Sequence, residues 1–440
     1  MAFPKFVFQF KLLTTVFIRG VVILCLFWVL QHLLPSSFSA SSTVAVIEPF
    51  FGDTATSSSS VNSAYGLAFD WINSESIFGF NTVDVIHITG EITEPYDVAN
   101  IREKLVENDV DAVFGCQDAA CVRLMLPVIE ELKIPFFYPL PHEGLVDTQY
   151  GFFLGRLPNQ SIAPAVSWAL KKFGNRVHIT GSNTLYSRMV GEMVKNQVFA
   201  SGGSITGEQY YGRNIATVET LPQPWNAAQT DFIVNLVVGD ALVGIMQLQS
   251  LEVQALKRPP QVFAALDRTE INDIGRYALI GDFYVTNYIP GAHGELTSLF
   301  QELWDEKMGV SNPPGAAEAT AFHAARLWHA AFKKTSPGKS ADVVDALYGM
   351  KLEGALGFIA FDRSQHYLSH SISIIEILEN GEKMVWSDKN KIEPIKFPIS
   401  HSRQDWADLL ERLNAEFDGK WYSEDTIIID AKSGESSRGR

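Results

Sequence analysis

Apolar positions along this chain fall into short runs of two kinds, and the two kinds alternate. Val44–Phe50 is a near-continuous apolar run of strand length. The serine-rich TSSSS stretch after it reads as a loop, and Val61–Glu75 reads as a helix. Val83–Thr89 predicts a second strand, followed by a helix across Tyr96–Glu107 with Pro95 near its first turn. Asp111–Cys116 is the third strand. The next helix keeps Val122, Met125, Ile129 and Leu132 on one face, the spacing that a helix buries. Pro135–Leu140 and Gly151–Gly155 are short strands.

A second series then begins. A helix over Ile162–Phe173 carries Val166, Ala169, Leu170 and Phe173 in one stripe. Strands follow at Val177–Gly181, Ile205–Tyr211, Phe232–Val238, Val262–Leu266 and Tyr284–Tyr288, with helices at Ser187–Phe199 and Ala241–Val253 between them. Repeated βα units of this kind require parallel sheets covered by helices on both faces, so the fold class is α/β. Helices return at Leu296–Lys307, Ala316–Lys333 and Asp342–Leu347. From Leu356 the pattern reads as strands, with Asn380–Gly381 as a hairpin turn, and a helix at Asp405–Phe417 precedes a polar tail.

Length and charge narrow the function. A chain of 440 residues is too long for one ordinary core and suits two α/β lobes. A net charge of −15 with no basic run to offset it excludes a nucleic-acid partner, since phosphate would be repelled. Residues 1–42 differ from the rest: Lys5, Lys11 and Arg19 precede the apolar run Val21–Leu30, and small residues follow it. That is the layout of an export signal, with an uncleaved inner-membrane anchor as the alternative. Cys116 and Cys121 are the cysteines left after its removal. They read as two free, partly buried thiols, although an exported protein can oxidise such a pair. No catalytic, metal-binding or cofactor motif stands out: there is no nucleophile elbow, no His-Glu-x-x-His and no phosphate-cradling glycine loop.

The densest stretch of potential ligand chemistry runs from Val113 to Gly181. Gly115–Cys116, the run Phe137–Gly144 (FYP-x-P-x-EG), Pro158–Gln160 and Gly181–Ser182 all fall at strand ends or helix starts, where open α/β folds collect ligands. With EATAFHAARLW from Glu318 and GFIAFDRSQHYLSHSISIIEILENG from Gly357, this spacing resembles the amide- and urea-binding branch of the type I periplasmic solute-binding proteins. The resemblance spans about Val44 to Pro398. It implies a two-lobed fold in which each lobe is a mainly parallel sheet flanked by helices, with a ligand cleft between lobes and a three-strand hinge. Lobe 1 is expected at 43–155 plus 289–351, lobe 2 at 156–288 plus 352–400, and a C-terminal helix and polar tail at 401–440. It further implies a small amide, urea-like or amino-acid-like ligand, no cofactor, a periplasmic location and ABC permease subunits in the inner membrane as partners. A ligand-sensing receptor is the alternative.

Carried over position by position, the resemblance points to a site whose frame is kept and whose contacts differ. Where the family shows a serine and a threonine after its Gly-Cys, this chain has Ala119 and Cys121. Tyr138 and Pro139 match the family, as do Pro141, Glu143 and Gly144, while Leu140 replaces a position that is often small or hydroxylated. After Gly181–Ser182, Tyr186 and Arg188 match, whereas Thr184 stands where the family has an aromatic. Asp118 is a candidate for a cationic ligand group, with helix capping as its structural role. Asn235 and Asp240, and similarly Thr269 and Glu270, sit near later strand ends where a second lobe would add contacts.

Overall fold

The computed structural model of the protein describes residues 42–49, 55–76, 82–90, 92, 95–213, 228–252, 258–292, 294–335, 340–354, 356–361, 366–388, 390–430 and 436–438. The expected export signal therefore lies outside the described residues. The first series is strand β1 (Ser42–Pro49), helix α1 (Ala55–Ser74), β2 (Val83–Gly90), α2 (Pro95–Glu107), β3 (Ala112–Gly115), α3 (Ala119–Leu132), β4 (Phe136–Tyr138) and β5 (Gly151–Phe153). These strands form one parallel sheet in the order β2-β1-β3-β4-β5. The serine run expected as a loop is instead part of α1. Serine costs a helix little, and Ser60 Oγ gains a buried hydrogen bond by donating to Glu318 Oε1 at 2.6 Å.

The second series is α4 (Ile162–Phe173), β6 (Arg176–Ser182), α5 (Leu185–Ala200), β7 (Ser204–Tyr211), β8 (Phe232–Leu236), α6 (Asp240–Glu252), β9 (Gln261–Phe263), α7 (Arg268–Ile274) and β10 (Phe283–Thr286). The chain continues through α8 (Gly294–Met308), α9 (Ala316–Phe332), α10 (Ser340–Leu347), the hairpin β11 (Leu352–Gly354) and β12 (Gly357–Ile359), β13 (Ser373–Leu378), β14 (Gly381–Ser387), α11 (Arg403–Glu416), β15 (Ile427–Asp430) and β16 (Ser436–Arg438). The second sheet runs β14-β13-β10-β9-β8-β6-β7-β15-β16. Its centre is parallel and its margins antiparallel. The tail beyond α11, expected to be a polar appendage, thus supplies edge strands to this sheet.

Each sheet is sandwiched, as strands apolar on both faces demand. Val44 and Val46 of β1 point with Phe114, Phe137 and Phe152 towards α1 and α9, while Ala45 and Ile47 point with Val113 and Phe136 towards α2 and α3. In the second sheet, Val177, Ile179, Val234 and Phe283 meet α4, α5 and α11, and Val237, Phe263 and Tyr284 meet α6 and α7. Ile359, Phe361 and Leu368 pack into the first lobe's core, although the span 352–400 was expected in lobe 2.

Three segments pass between the lobes, and side chains stitch them together. Arg156 Nη1, just after β5, donates to Asn287 Oδ1 after β10 at 2.9 Å. Asn287 Nδ2 lies 3.1 Å from His370 Nδ1 before β13. Gln160 Nε2 adds bonds to the carbonyls of Leu368 (2.7 Å) and Ile392 (2.8 Å). Among the described residues, no helix is long and apolar enough to cross a membrane.

The candidate ligand site between the lobes

Strand β3 ends in two left-handed residues, Gly115 (φ 109°) and Cys116 (φ 55°). A Cβ on Gly115 would collide with the carbonyl of Ile47, so only glycine fits there. This tight reversal brings Cys116 and Cys121 to a Cα separation of 5.6 Å, and they form a disulfide. The free thiols expected from the sequence are thereby corrected. The left-handed turn that closes the gap was not legible from spacing. Cys121, expected at the site, is fully buried in the core behind it and does not line the cavity.

Asp118 occupies the step between this turn and α3. Its Oδ1 accepts from Cys121 N at 2.7 Å, capping the helix as expected, and its Oδ2 lies 3.7 Å from Arg213 Nη2 across the cleft. Burial raises its carboxyl above the usual range, and Arg213 partly offsets that. Asp118 also faces a cavity of about 170 Å³ between the sheets. Ala119, Tyr138, Leu140, Pro141, Thr184 and Tyr186 line the same cavity, so seven of the ten expected site residues converge. Burial raises the phenols of Tyr138 and Tyr186, which therefore face the cavity as neutral hydroxyls.

Of the other expected residues, Asn235 does not join them. Asn235 is fully buried in β8, where its Nδ2 donates to Gln261 Oε1 at 2.7 Å and its Oδ1 accepts from Val237 N at 3.0 Å. It braces the sheet because its side chain points along the strand layer rather than out of the strand end. Asp240 opens α6, and its side chain lies outside the described residues. Glu143 and Arg188 hold structural places: Arg123 Nη2 pairs with Glu143 at 3.0 Å, and Arg188 Nη1 with Glu416 at 2.9 Å.

Beside Glu270, which the sequence had offered, the cavity contains groups that sequence reasoning missed. Arg156 is 5% exposed, and among the described residues no carboxylate lies within ion-pair distance of it. Its Nε, buried, has no hydrogen-bond partner there. Burial lowers its guanidinium pKa and the nearby Asp267 offsets part of that, and the arginine stays charged. The signal available was a single cation closing the apolar run Gly151–Gly155. Asp267, Glu270 and Glu318 form an acidic group on another wall. Burial, then Asp267 and Glu318, push the Glu270 carboxyl up to about 8. Burial, then Asp267, likewise raise Glu318. Trp421 and Tyr422, from the tail, complete the lining.

The acidic group also joins the lobes. Asp267 Oδ2, from lobe 2, accepts from Ala317 N at the start of α9 at 3.0 Å, and Thr269 Oγ1 donates to Glu318 Oε1 at 3.1 Å. Glu318 in turn holds its own helix start by accepting from Gly315 N at 2.9 Å. Thr269 therefore serves the contact between lobes, while Glu270 faces the cavity.

A family model described as a periplasmic binding protein domain matches residues 43–403. Among solved structures, the chain is similar to a solute binding protein of an ABC transporter from Rhodopseudomonas palustris HaA2 in complex with p-hydroxybenzoic acid. The TM-score is 0.69 at 16% identity, covering 80% of this chain and 98% of that one. It is also similar to the leucine binding protein LivK from Thermotoga maritima MSB8 (TM-score 0.64, 18% identity, 79% of this chain and 98% of that one). A third is the branched-chain amino acid transporter substrate binding protein LivJ from Streptococcus pneumoniae in complex with isoleucine (TM-score 0.65, 16% identity, 80% and 100%). Identities this low show a shared fold: two α/β lobes around a cleft.

Proposed function

Because this chain belongs to the periplasmic binding protein domain family, we propose that it is the solute-binding component of an ABC-type importer, exported to the periplasm. In this reading it captures a small amino-acid-like solute between its lobes and presents it to permease subunits in the inner membrane. The observation that carries the solute class is Arg156, a buried cation on the cavity lining whose burial Asp267 offsets only in part and which makes no direct ion pair among the described residues. A buried charge left unpaired is costly, and a solute carboxylate would neutralise it through charge-assisted hydrogen bonds. Urea and short amides, expected from the resemblance, carry no charge to do this. The p-hydroxybenzoic acid and isoleucine bound to two of the similar structures are both carboxylic acids. Asp267, Glu270 and Glu318 provide a complementary wall for a solute ammonium.

The mechanism follows from where these groups sit. Arg156 and Asn287 lie on the crossing segments, Asp118 and Glu318 on the first lobe, and Thr184, Tyr186 and Asp267 on the second. A solute touching all three sets gains its full contacts only when the lobes close, so binding favours the closed form. The bodies that close would be 43–155 with 289–368, and 156–288 with 369–430. The Asp267–Ala317 and Thr269–Glu318 bonds add to closure, and their loss accompanies opening and release. The solute undergoes no reaction.

A thermal-shift and calorimetric screen tests this reading, comparing α-amino acids and other small carboxylates with urea and acetamide. Carboxylates are expected to raise the melting temperature in proportion to log concentration. Stabilisation by urea or acetamide with none by any carboxylate would overturn the solute class in favour of amide or urea binding.

A further inference from the structure

The family match ends at residue 403, yet the cavity is not closed without residues beyond it. Helix α11 buries Trp406, Leu413 and Phe417 in the second lobe's core, and the chain then returns to the cleft. There it is held at several points. Leu185 N donates to the carbonyl of Trp421 at 2.9 Å, Ser423 N to that of Asn183 at 2.9 Å, and Arg213 N to that of Ser423 at 3.1 Å. Gly212 N donates to Thr426 Oγ1 at 3.0 Å, and β15 pairs antiparallel with β7. At Gly212 a Cβ would collide with the carbonyl of Glu424, so the lobe's own backbone is shaped to admit this segment.

Trp421 and Tyr422 of this segment line the cavity, and the Trp421 ring is held from behind by the second lobe's core and by Arg123, whose guanidinium lies 5.8 Å from its centre. Trp421 adopts φ 65°, a left-handed conformation that a bulky residue keeps only where its surroundings impose it, and such strain concentrates at ligand sites. The guanidinium of Arg213 lies 4.3 Å from the centre of the Tyr422 ring while also facing Asp118, which orients that ring. Tyr138 and Tyr186 complete an aromatic lining on the same cavity. Rings packed against rings gain contact beyond their buried area, which aliphatic groups do not match.

We propose that residues 404–430 are an integral third part of the binding site, and that Trp421 and Tyr422 select solutes carrying a flat ring beside the carboxylate. This inference rests on the carboxylate reading above and narrows it. The test uses the full-length protein and calorimetry on matched pairs: L-phenylalanine against L-leucine, and 4-hydroxybenzoate against hexanoate. The ring-bearing member of a pair is expected to bind more tightly. Trp421→Leu and Tyr422→Leu should each shrink that preference by about three- to tenfold, the size of one aromatic contact. Trp421→Tyr should retain most of the preference, which separates ring contact from simple structural damage. Tighter binding of the aliphatic member by the unmodified protein would overturn the inference while leaving the carboxylate reading intact. So would a ring preference that survives both leucine substitutions. If none of the four probes binds the unmodified protein, the carboxylate reading fails and the ring inference with it.

Discussion

Arg156 and Glu270 show how burial sets the chemistry of single residues at this site. Arg156 keeps one hydrogen bond, to Asn287, and has no ion-pair partner among the described residues. Arg156→Leu is therefore expected to weaken carboxylate binding by about 10- to 100-fold, the worth of a charge-assisted hydrogen bond, and Arg156→Lys by less. Calorimetry on both variants checks this, and equal affinities for the leucine variant and the unmodified protein would remove Arg156 from the site. Glu270 behaves oppositely with pH. Burial and its acidic neighbours push its carboxyl up to about 8 in the fold from the usual 4.5, so the stability tied to its proton is fully present below about 4.5. That stability is lost as pH rises towards and through 8. Melting temperatures of Glu270→Gln should thus gain on the unmodified protein across this range, whereas parallel curves would mean that Glu270 is already ionised. Glu270 was a sequence candidate because it follows a strand end. Its proton affinity was not legible, since it depends first on burial between the lobes and then on the carboxylates of Asp267 and Glu318.

The start of α3 is the element on which capping and ligand chemistry meet. Asp118 was readable twice over, as a polar residue opening an amphipathic helix and as a candidate contact, and it caps the helix and lines the cavity. The two roles separate by substitution. Asp118→Asn keeps a side-chain oxygen for the cap and loses the charge facing Arg213, so the melting temperature should hold while solute affinity falls. Asp118→Ala loses the cap as well, costing about 1 kcal/mol of stability. A denaturation curve beside a binding isotherm for each variant resolves the two. Asn235, also at a strand end, shows the limit of that logic. Position along a strand was legible, but the outward or lateral direction of its amide depended on Gln261 in the neighbouring strand.

The proposed closure of the two lobes belongs to the whole molecule, and one glycine gauges it. Gly315 precedes α9 in the first lobe, and a Cβ there would overlap the carboxylate of Asp267 in the second. Its φ of −103° is accessible to alanine, so the open form should tolerate the change. Gly315→Ala is expected to raise the solute Kd severalfold and leave the unliganded melting temperature nearly unchanged. Small-angle scattering with and without solute would show reduced compaction, and full compaction with unchanged affinity would contradict it. The alternation of strand and helix, the parallel pairing at the centre of each sheet, the strand-end place of Tyr138 and the helix-start places of Asp118 and Tyr186 were all readable along the chain. Each rests on local periodicity, because a side chain's face follows from its spacing within its own element. The burial of Arg156, the partners of Asp267 and the return of Trp421 and Tyr422 to the cleft were not readable. They join residues tens to hundreds of positions apart, whose meeting is settled by how two lobes and a tail pack around one cavity.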